Sequence, residues 1–120
     1  MVNVPTGPPP TALNKVDLTV GTGAEAKLGD TITVHYVGIA CSTGKQFDSS
    51  WDRGQPADFP LAEGSLIEGW TDGIPGMKVG GRRQLEVPAN LAYGSQGRPP
   101  EIGPNEPLIF VVDLVAIEPG

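Results

Sequence analysis

Few residues in this sequence are of the types that usually carry out proton transfer, nucleophilic attack or metal binding. The chain has one histidine, His35, and one cysteine, Cys41. A catalytic triad requires a histidine beside the nucleophile, and a zinc site requires several histidine, cysteine or carboxylate ligands. His35 is therefore interpreted as a sheet residue, and Cys41, which lies in a turn without a neighbouring base, as an unreactive thiol. We expect no metal, no cofactor and no covalent intermediate.

Two other patterns fit known binding loops only loosely. Residues 21–26 have the GxGxxA spacing of a dinucleotide-binding loop, but that loop must open a helix, and here residues 28–30 lead into a strand. The acidic residues Asp48, Asp52 and Asp58 lack the alternating spacing, central glycine and distal glutamate of a calcium loop. The glycine pattern is interpreted as a turn between strands, and the three acidic residues are not assigned to a calcium site.

The remaining candidates for chemistry are large aromatic side chains, which suit the binding of an apolar group better than proton transfer. The set comprises Tyr36, Phe47, Phe59, Trp70, Tyr93 and Phe110. Aromatic residues make up only 6% of the chain, so one core would need nearly all of them. Buried tyrosine hydroxyls also need hydrogen-bond partners. Tyr93 stands at the head of a glycine- and proline-rich segment, which is an unusual place for a pure core residue.

Length and charge narrow the class of protein. A chain of 120 residues suits one domain with its own core. A net charge of −6 argues against nucleic-acid or anionic-membrane surfaces, and the short basic run 78–83 is interpreted as a turn and a strand start. No segment approaches the roughly 20 apolar residues of a membrane helix, and residues 1–14 lack a signal-peptide pattern. We expect a cytoplasmic monomer.

Alternating apolar residues predict the strands that position these side chains. The predicted strands cover residues 16–20, 31–40, 46–50, 82–87 and 108–117, with a further strand beginning at Phe59. In the second of these, Ile32, Val34 and Tyr36 share one face. The last is apolar on both faces, which is typical of a central strand.

One helix is predicted near residue 65. Ser65 and Glu68 have capping-box spacing, and apolar residues on one side continue through Trp70. Gly69 and Gly73 weaken this helix by about 1 kcal/mol each, so it must be held by tertiary packing. Strands with one short helix predict an α+β class. Residues 1–13 are predicted to be a proline-rich tail, 14–120 the folded domain, and 94–107 a long loop.

Six ordered blocks resemble FKBP-type peptidyl-prolyl cis/trans isomerases from about residue 17 to the C-terminus. The blocks are Val34-His35-Tyr36-Val37-Gly38, Phe47-Asp48-Ser49-Ser50, Ile67-Glu68-Gly69-Trp70, Met77-Lys78-Val79-Gly80, Leu91-Ala92-Tyr93-Gly94 and Leu108-Ile109-Phe110-Val111-Val112-Asp113-Leu114. The resemblance implies a twisted antiparallel sheet of about five strands curled around one short helix, which starts nearer Glu68 than Ser65. It also implies rotation of Xaa–Pro bonds in peptides and unfolded chains by non-covalent binding.

The resemblance further implies a pocket. Trp70 is its floor, and its walls are Tyr36, Phe59 and Phe110. Around the rim lie Phe47, Leu66, Ile67 and Ile102. The Ile67 N–H group and the Tyr93 hydroxyl bind substrate carbonyl groups, while Asp48 faces the reacting amide with Arg53 beside it. The macrolides tacrolimus and rapamycin are implied ligands.

Three positions depart from the family pattern and leave alternatives open. Ala57 replaces a frequent aromatic residue, and Arg98 and Glu101 make the loop at 95–104 more polar. An FKBP-like module that binds proline segments without turnover is therefore the main alternative. A folding helper is a second, although the interval from Trp70 to Tyr93 is too short for the usual inserted flap domain. A docking protein that acts through its proline-rich tail is a third.

Overall fold

In the computed structural model of this chain, the described residues are 12–41, 43–62, 66–94, 97, 102–103 and 105–119. Most of the predicted tail and half of the predicted long loop lie outside these ranges, as do Ser65, Arg98 and Glu101. The predictions for those residues stay predictions. Leu13, the last residue of the predicted tail, packs against the hydrophobic core.

The described part of the chain forms one antiparallel sheet of six strands with one short α-helix. The strands are β1 (Asn14–Thr19), β2 (Thr31–Ala40), β3 (Gln46–Ser49), β4 (Ala57–Pro60), β5 (Arg82–Val87) and β6 (Leu108–Glu118), and helix α1 is Glu68–Gly73. The strand order is β1-β5-β6-β2-β3, and β4 also pairs with β2. This confirms the predicted α+β class, and the six strands lie near the six predicted from the sequence, whereas the family resemblance implied about five. A short 3-10 helix at Ala89–Leu91 was not predicted.

The alternation along β2 produces the predicted division between two faces of the sheet. Ile32, Val34 and Tyr36 are buried, whereas the polar residues between them are only half-buried. Tyr36 lies on the side of the sheet that carries α1, which we call the inner face. The opposite side is the outer face. β2 pairs with β6 from Thr31↔Glu118 to Ala40↔Leu108, so the two longest strands form the centre of the sheet.

Strand β6 is buried on both faces from Leu108 to Val112, as the apolar run predicts for a central strand. Its inner-face side chains join the main core. Ile109 and Val111 point to the outer face and form a second, smaller cluster with Val37 and Ile39. The outer face is therefore apolar near one end of the central strands.

Helix α1 begins at Glu68 and not near Ser65. Ile67, its N-terminal flanking residue, is extended (φ −62°, ψ 150°) and makes no side-chain capping hydrogen bond. The two helical glycines let α1 lie directly on β5. A Cβ atom at Gly69 would come within 2.5 Å of Val87 Cγ1, and one at Gly73 within 2.7 Å of Leu85 Cδ2. Their low helix propensity is thus offset by close packing on the sheet.

The glycine pattern at residues 21–26 also has a packing explanation. A Cβ atom at Gly21 would lie 2.4 Å from the carbonyl oxygens of Lys78 and Val79. The segment continues through an isolated bridge, Glu25↔Lys78, and then a turn into β2. No helix follows, which confirms that this run is a connection between strands. In the described part of the chain, no helix is long and apolar enough to cross a bilayer.

Candidate active site

Trp70 lies at the centre of an aromatic cluster on the inner face. Its ring centroid is 5.2 Å from that of Tyr36, 5.4 Å from that of Phe59 and 5.3 Å from that of Phe110. All three neighbouring rings stand nearly perpendicular to the indole, at 83–86°. Phe47 extends the cluster by an edge-to-face contact with Phe110 at 5.7 Å. We call these five residues the Trp70 cluster.

The cluster draws its members from five different elements. Helix α1 supplies Trp70, and β2, β3, β4 and β6 each supply one ring. Gly38 makes this convergence possible, since it is opposite Phe110 in the β2–β6 register. A Cβ atom there would lie 2.5 Å from Phe47 Cζ and 2.9 Å from Phe110 Cε1. The glycine therefore leaves the space that the two phenylalanine rings occupy.

Burial grades from the floor of the cluster to its edge. Trp70 is 4% exposed, and Tyr36 and Phe110 are also buried. Half-buried apolar residues pack against the same core around them, namely Phe47, Phe59, Leu66, Ile67, Tyr93 and Ala57. Ile102 is 2% exposed and lies deeper than a rim position. The cluster is therefore an apolar region with the buried Trp70 ring at its centre and half-buried side chains around it.

One polar network borders the Trp70 cluster. The Tyr36 hydroxyl donates to Asp48 Oδ2 at 2.6 Å. Arg53 donates to the other carboxylate oxygen, Oδ1, at 2.5 Å and to the Tyr36 hydroxyl at 2.9 Å. The Arg53 guanidinium also lies 5.6 Å from the centre of the Tyr36 ring. We call these three residues the Asp48 network; both carboxylate oxygens are engaged in it.

The Asp48 network fixes the protonation states of its members. Burial raises the pKa of Asp48, but the hydrogen bonds from Tyr36 and Arg53 outweigh it and leave the pKa below its usual value. Burial, together with the hydrogen bond to Asp48, raises the pKa of Tyr36. At neutral pH the site therefore holds a carboxylate, a neutral phenol and a guanidinium. None of them is poised to exchange a proton.

Ser50 holds the backbone of Tyr36 in place. Its buried Oγ accepts the Tyr36 N–H at 2.6 Å, and its own N–H donates to the Tyr36 carbonyl at 2.9 Å. His35 Nδ1 is 2.9 Å from the same Oγ. Sequence reasoning gave Ser50 no role, although it lies within one of the six blocks. His35 is a half-buried sheet residue, as predicted.

Trp70 carries a buried donor. Its Nε1 has no hydrogen-bond partner among the described residues and lies in a region of aromatic side chains. Aromatic faces are weak acceptors compared with a carbonyl group. The indole N–H is therefore a sensitive reporter of any group that enters the cluster.

Two further predicted site residues pack against the same hydrophobic core as the cluster. Ile67 precedes α1, and its carbonyl accepts the N–H groups of Trp70 and Thr71 at 3.0 and 3.3 Å. Tyr93 follows the 3-10 helix in a turn closed by the hydrogen bond from Gly94 N to Ala89 O at 2.8 Å. Tyr93 is half-buried and packs against the main core, and its role as a hydrogen-bond donor to substrate stays a prediction.

Other chemistry finds little support in the described residues. They contain no group of three or more His, Cys, Asp or Glu side chains that could hold a metal ion. Burial, with the nearby charges of Glu106 and Glu86, raises the pKa of Cys41 to about 11. This cysteine is a protonated thiol at neutral pH, which agrees with the interpretation from sequence.

Comparison with known proteins identifies close relatives. The family model for the FKBP-type peptidyl-prolyl cis-trans isomerase matches residues 23–115. An FK506-binding protein of Streptomyces anulatus is 53% identical over 117 residues, which is 97% of this chain and 94% of that protein.

Solved structures show the same fold. The crystal structure of FkpA from Escherichia coli superposes with a TM-score of 0.82 at 41% identity, covering 91% of this chain and 49% of FkpA. A peptidyl-prolyl cis-trans isomerase of Pseudomonas syringae superposes with a TM-score of 0.79 at 36% identity, covering 88% and 75%. This chain thus spans about half the length of FkpA.

Proposed function

This chain belongs to the FKBP-type peptidyl-prolyl cis-trans isomerase family, and we propose that the Trp70 cluster is the site at which it rotates Xaa–Pro bonds. The observation that carries the proposal is the buried indole with three perpendicular rings, bordered by the Asp48 network. A prolyl ring is apolar and compact, and the indole face offers it a flat base. The substrates are proline-containing segments of peptides and folding proteins.

The reaction suits a site without acid–base chemistry. Rotation about an amide bond crosses a barrier of about 18–20 kcal/mol because resonance gives the C–N bond double-bond character. The cis and trans forms of an Xaa–Pro bond differ by only about 0.5–1 kcal/mol. The enzyme therefore has to lower the barrier and need not drive the equilibrium.

The apolar cluster lowers the barrier by discriminating against the planar amide. In the planar state the carbonyl oxygen is partly negative and well solvated, whereas the twisted state has lost resonance and is less polar. An apolar, water-poor site stabilises the second relative to the first. Shortening a half-time of tens of seconds to about ten milliseconds requires roughly 4–5 kcal/mol. Apolar burial, orientation on Trp70 and two hydrogen bonds are sufficient for this amount.

The polar groups orient the substrate and each other. The Ile67 N–H group and the Tyr93 hydroxyl are the proposed donors to substrate carbonyl groups. Asp48 stays ionised and serves to orient Tyr36 and Arg53, since its two oxygens already accept hydrogen bonds from them. Its lowered pKa argues against a role as a proton donor at neutral pH.

The same site is proposed to bind tacrolimus (FK506) and rapamycin. The Streptomyces relative carries the name FK506-binding protein and is similar over nearly its whole length. Ala57 leaves one side of the cluster without a large ring, because it is a small, half-buried residue packed on the core. We therefore expect binding with an affinity that a Phe at position 57 would increase.

Relaxation of a Leu-Pro-Phe peptide from cis to trans tests the proposal. Nanomolar to micromolar protein should accelerate the relaxation, and rapamycin should abolish the acceleration. A folded protein that binds rapamycin without changing the rate would instead be the non-catalytic proline-binding module. A folded protein that does neither would refute the assignment of the site.

A further inference from the structure

The turn that follows β3 carries side chains to both faces of the sheet. Residues 50–54 are closed by hydrogen bonds from Arg53 N to Ser50 O and from Gly54 N to Trp51 O, both 3.1 Å. Arg53 reaches the inner face, where it joins the Asp48 network. Trp51 reaches the outer face, where it contacts His35. The turn therefore bridges the edge of the sheet between the active site and its opposite side.

Trp51 is held on the outer face by two flat groups. Its ring stacks on His35 with a centroid distance of 5.3 Å and an interplanar angle of 10°. The Arg82 guanidinium lies 5.9 Å from the indole centroid. In the sheet register, Asp113 of β6 is opposite His35 of β2 on one side and opposite Arg82 of β5 on the other. The contacts of Trp51 therefore extend across three adjacent strands.

The two residues that contact Trp51, His35 and Arg82, each make further hydrogen bonds. Arg82 binds Asp113 through two hydrogen bonds, Nε to Oδ1 at 2.6 Å and Nη2 to Oδ2 at 2.8 Å. His35 is anchored by the Ser50 hydroxyl. Trp51 remains 39% exposed, so burial of its apolar surface is not the main effect of these contacts. Their main effect is to connect the turn 50–54 to β2 and β5.

Because Arg53 is partly exposed, its position in the Asp48 network depends on how firmly the turn is held. The side chains of Arg53 and Asp48 are 48% and 39% exposed. Ion pairs at this exposure contribute little unless their geometry is fixed in advance, because a long side chain loses rotamer freedom when it binds. A turn held in place by other contacts reduces that loss, and the Trp51 side chain of this turn makes such contacts on the outer face.

We propose that Trp51 is a positioning residue for the isomerase reaction: its stack on His35 and Arg82 fixes the turn 50–54 and so holds Arg53 against Asp48 and Tyr36. This inference rests on the proposed function of the Trp70 cluster. Contacts on the outer face of the sheet would thus influence the active site through the turn 50–54. Trp51 itself touches no substrate.

A double-mutant cycle on kcat/KM tests the inference. We expect Arg53→Ala to lower kcat/KM about fourfold and Trp51→Ala about two- to threefold, as befits an exposed ion pair. If Trp51 acts through Arg53, the double variant should equal Arg53→Ala alone. Effects that multiply to about tenfold, or an unchanged Trp51→Ala, would overturn the inference.

Further variants separate positioning from general stability. Trp51→Phe keeps a flat ring and should retain most of the activity, whereas Trp51→Leu keeps apolar bulk without a ring and should behave like Trp51→Ala. Leu18→Ala is the matched control, because Leu18 is another exposed apolar residue and lies on the edge strand β1. It should leave kcat/KM unchanged. Equal losses in the Leu and Phe variants would contradict the stack.

A second readout does not depend on catalysis. The pKa of Asp48, followed by NMR of its carboxyl carbon, should rise in Trp51→Ala in the same direction as in Arg53→Ala, because both weaken the guanidinium contact. An unchanged Asp48 pKa in Trp51→Ala would overturn the inference even in an active enzyme. A wild-type chain without isomerase activity would refute the proposed function, and the Asp48 titration would still decide whether Trp51 positions Arg53.

Discussion

Replacing Gly69 by alanine tests how α1 packs on β5 beside the proposed active site. In the interior of an exposed helix, replacing glycine by alanine stabilises the helix by about 1 kcal/mol, since alanine has the higher helix propensity. Here the new Cβ atom would lie 2.5 and 2.9 Å from the two methyl groups of Val87. Ordinary contact begins near 3.4 Å, so the helix and Val87 must separate by nearly 1 Å. Valine has few rotamers with which to move aside.

The balance of these two effects sets the expected magnitude. Overpacking a core typically costs about 1–3 kcal/mol, which exceeds the gain in helix propensity. We expect Gly69→Ala to lower the free energy of unfolding by about 1 kcal/mol net. A shift of the helix would also move Trp70, the residue that follows Gly69 and lies at the centre of the cluster. Because small misplacements of binding groups cost large factors in rate, kcat/KM should fall about tenfold.

Urea unfolding and the peptide relaxation assay measure the two effects on the same samples. Adding Val87→Ala to Gly69→Ala removes both offending methyl groups and should restore part of the lost activity, although Val87→Ala alone opens a cavity. Gly73→Ala should be milder, because its Cβ meets the flexible end of Leu85. A Gly69→Ala variant that gains about 1 kcal/mol of stability and keeps its activity would refute the reasoning.

The remaining predictions concern charges and hydroxyls around the site. Asp48→Leu should cut kcat/KM much more than Lys45→Ala, whose side chain lies in a turn; equal effects in folded samples would remove Asp48 from the site. The folded pKa of Asp48 is lowered, so its stabilising contribution is complete above its unfolded pKa of about 3.9 and is lost as the pH falls through the folded value. The difference in unfolding free energy between wild type and Asp48→Asn should therefore shrink on acidification below about pH 4, and a constant difference would argue against the lowered pKa. Arg83→Met should cost about 1–3 kcal/mol in urea unfolding, because buried Arg83 donates to Gly73 O at the end of α1 at 2.8 Å; a loss below the error of the measurement would show that this carbonyl has another partner.

Much of the sheet could be predicted from the sequence because local patterns determine it. Strand β2 was predicted with the bounds that the structure has, since polar and apolar side chains alternate from Thr31 to Tyr36. The start of α1 could not be predicted from spacing alone, because Ser65 and Glu68 mimic a capping box while Ile67 is extended. Gly69 and Gly73 looked like weaknesses of a helix, and only their contacts with β5 explain them.

The candidate site depended more on the family resemblance than on local pattern. Composition excluded most acid–base chemistry and pointed to aromatic binding, but it could not show which rings meet. The Asp48 network joins residues 12 and 17 positions apart in the chain, across a sheet edge that no periodicity encodes. Trp51 was overlooked for the same reason, since its partners His35 and Arg82 lie on two other strands.

NMR of the two tryptophan indole N–H groups tests the central claim most directly. Trp70 Nε1 is buried without a partner among the described residues, whereas Trp51 lies on the outer face and serves as an internal reference. On titration with a Leu-Pro-Phe peptide at concentrations that saturate the isomerase, the Trp70 resonance should shift strongly and the Trp51 resonance much less. A catalytically active protein whose Trp70 resonance does not move with saturating peptide would contradict the placement of the active site in the Trp70 cluster.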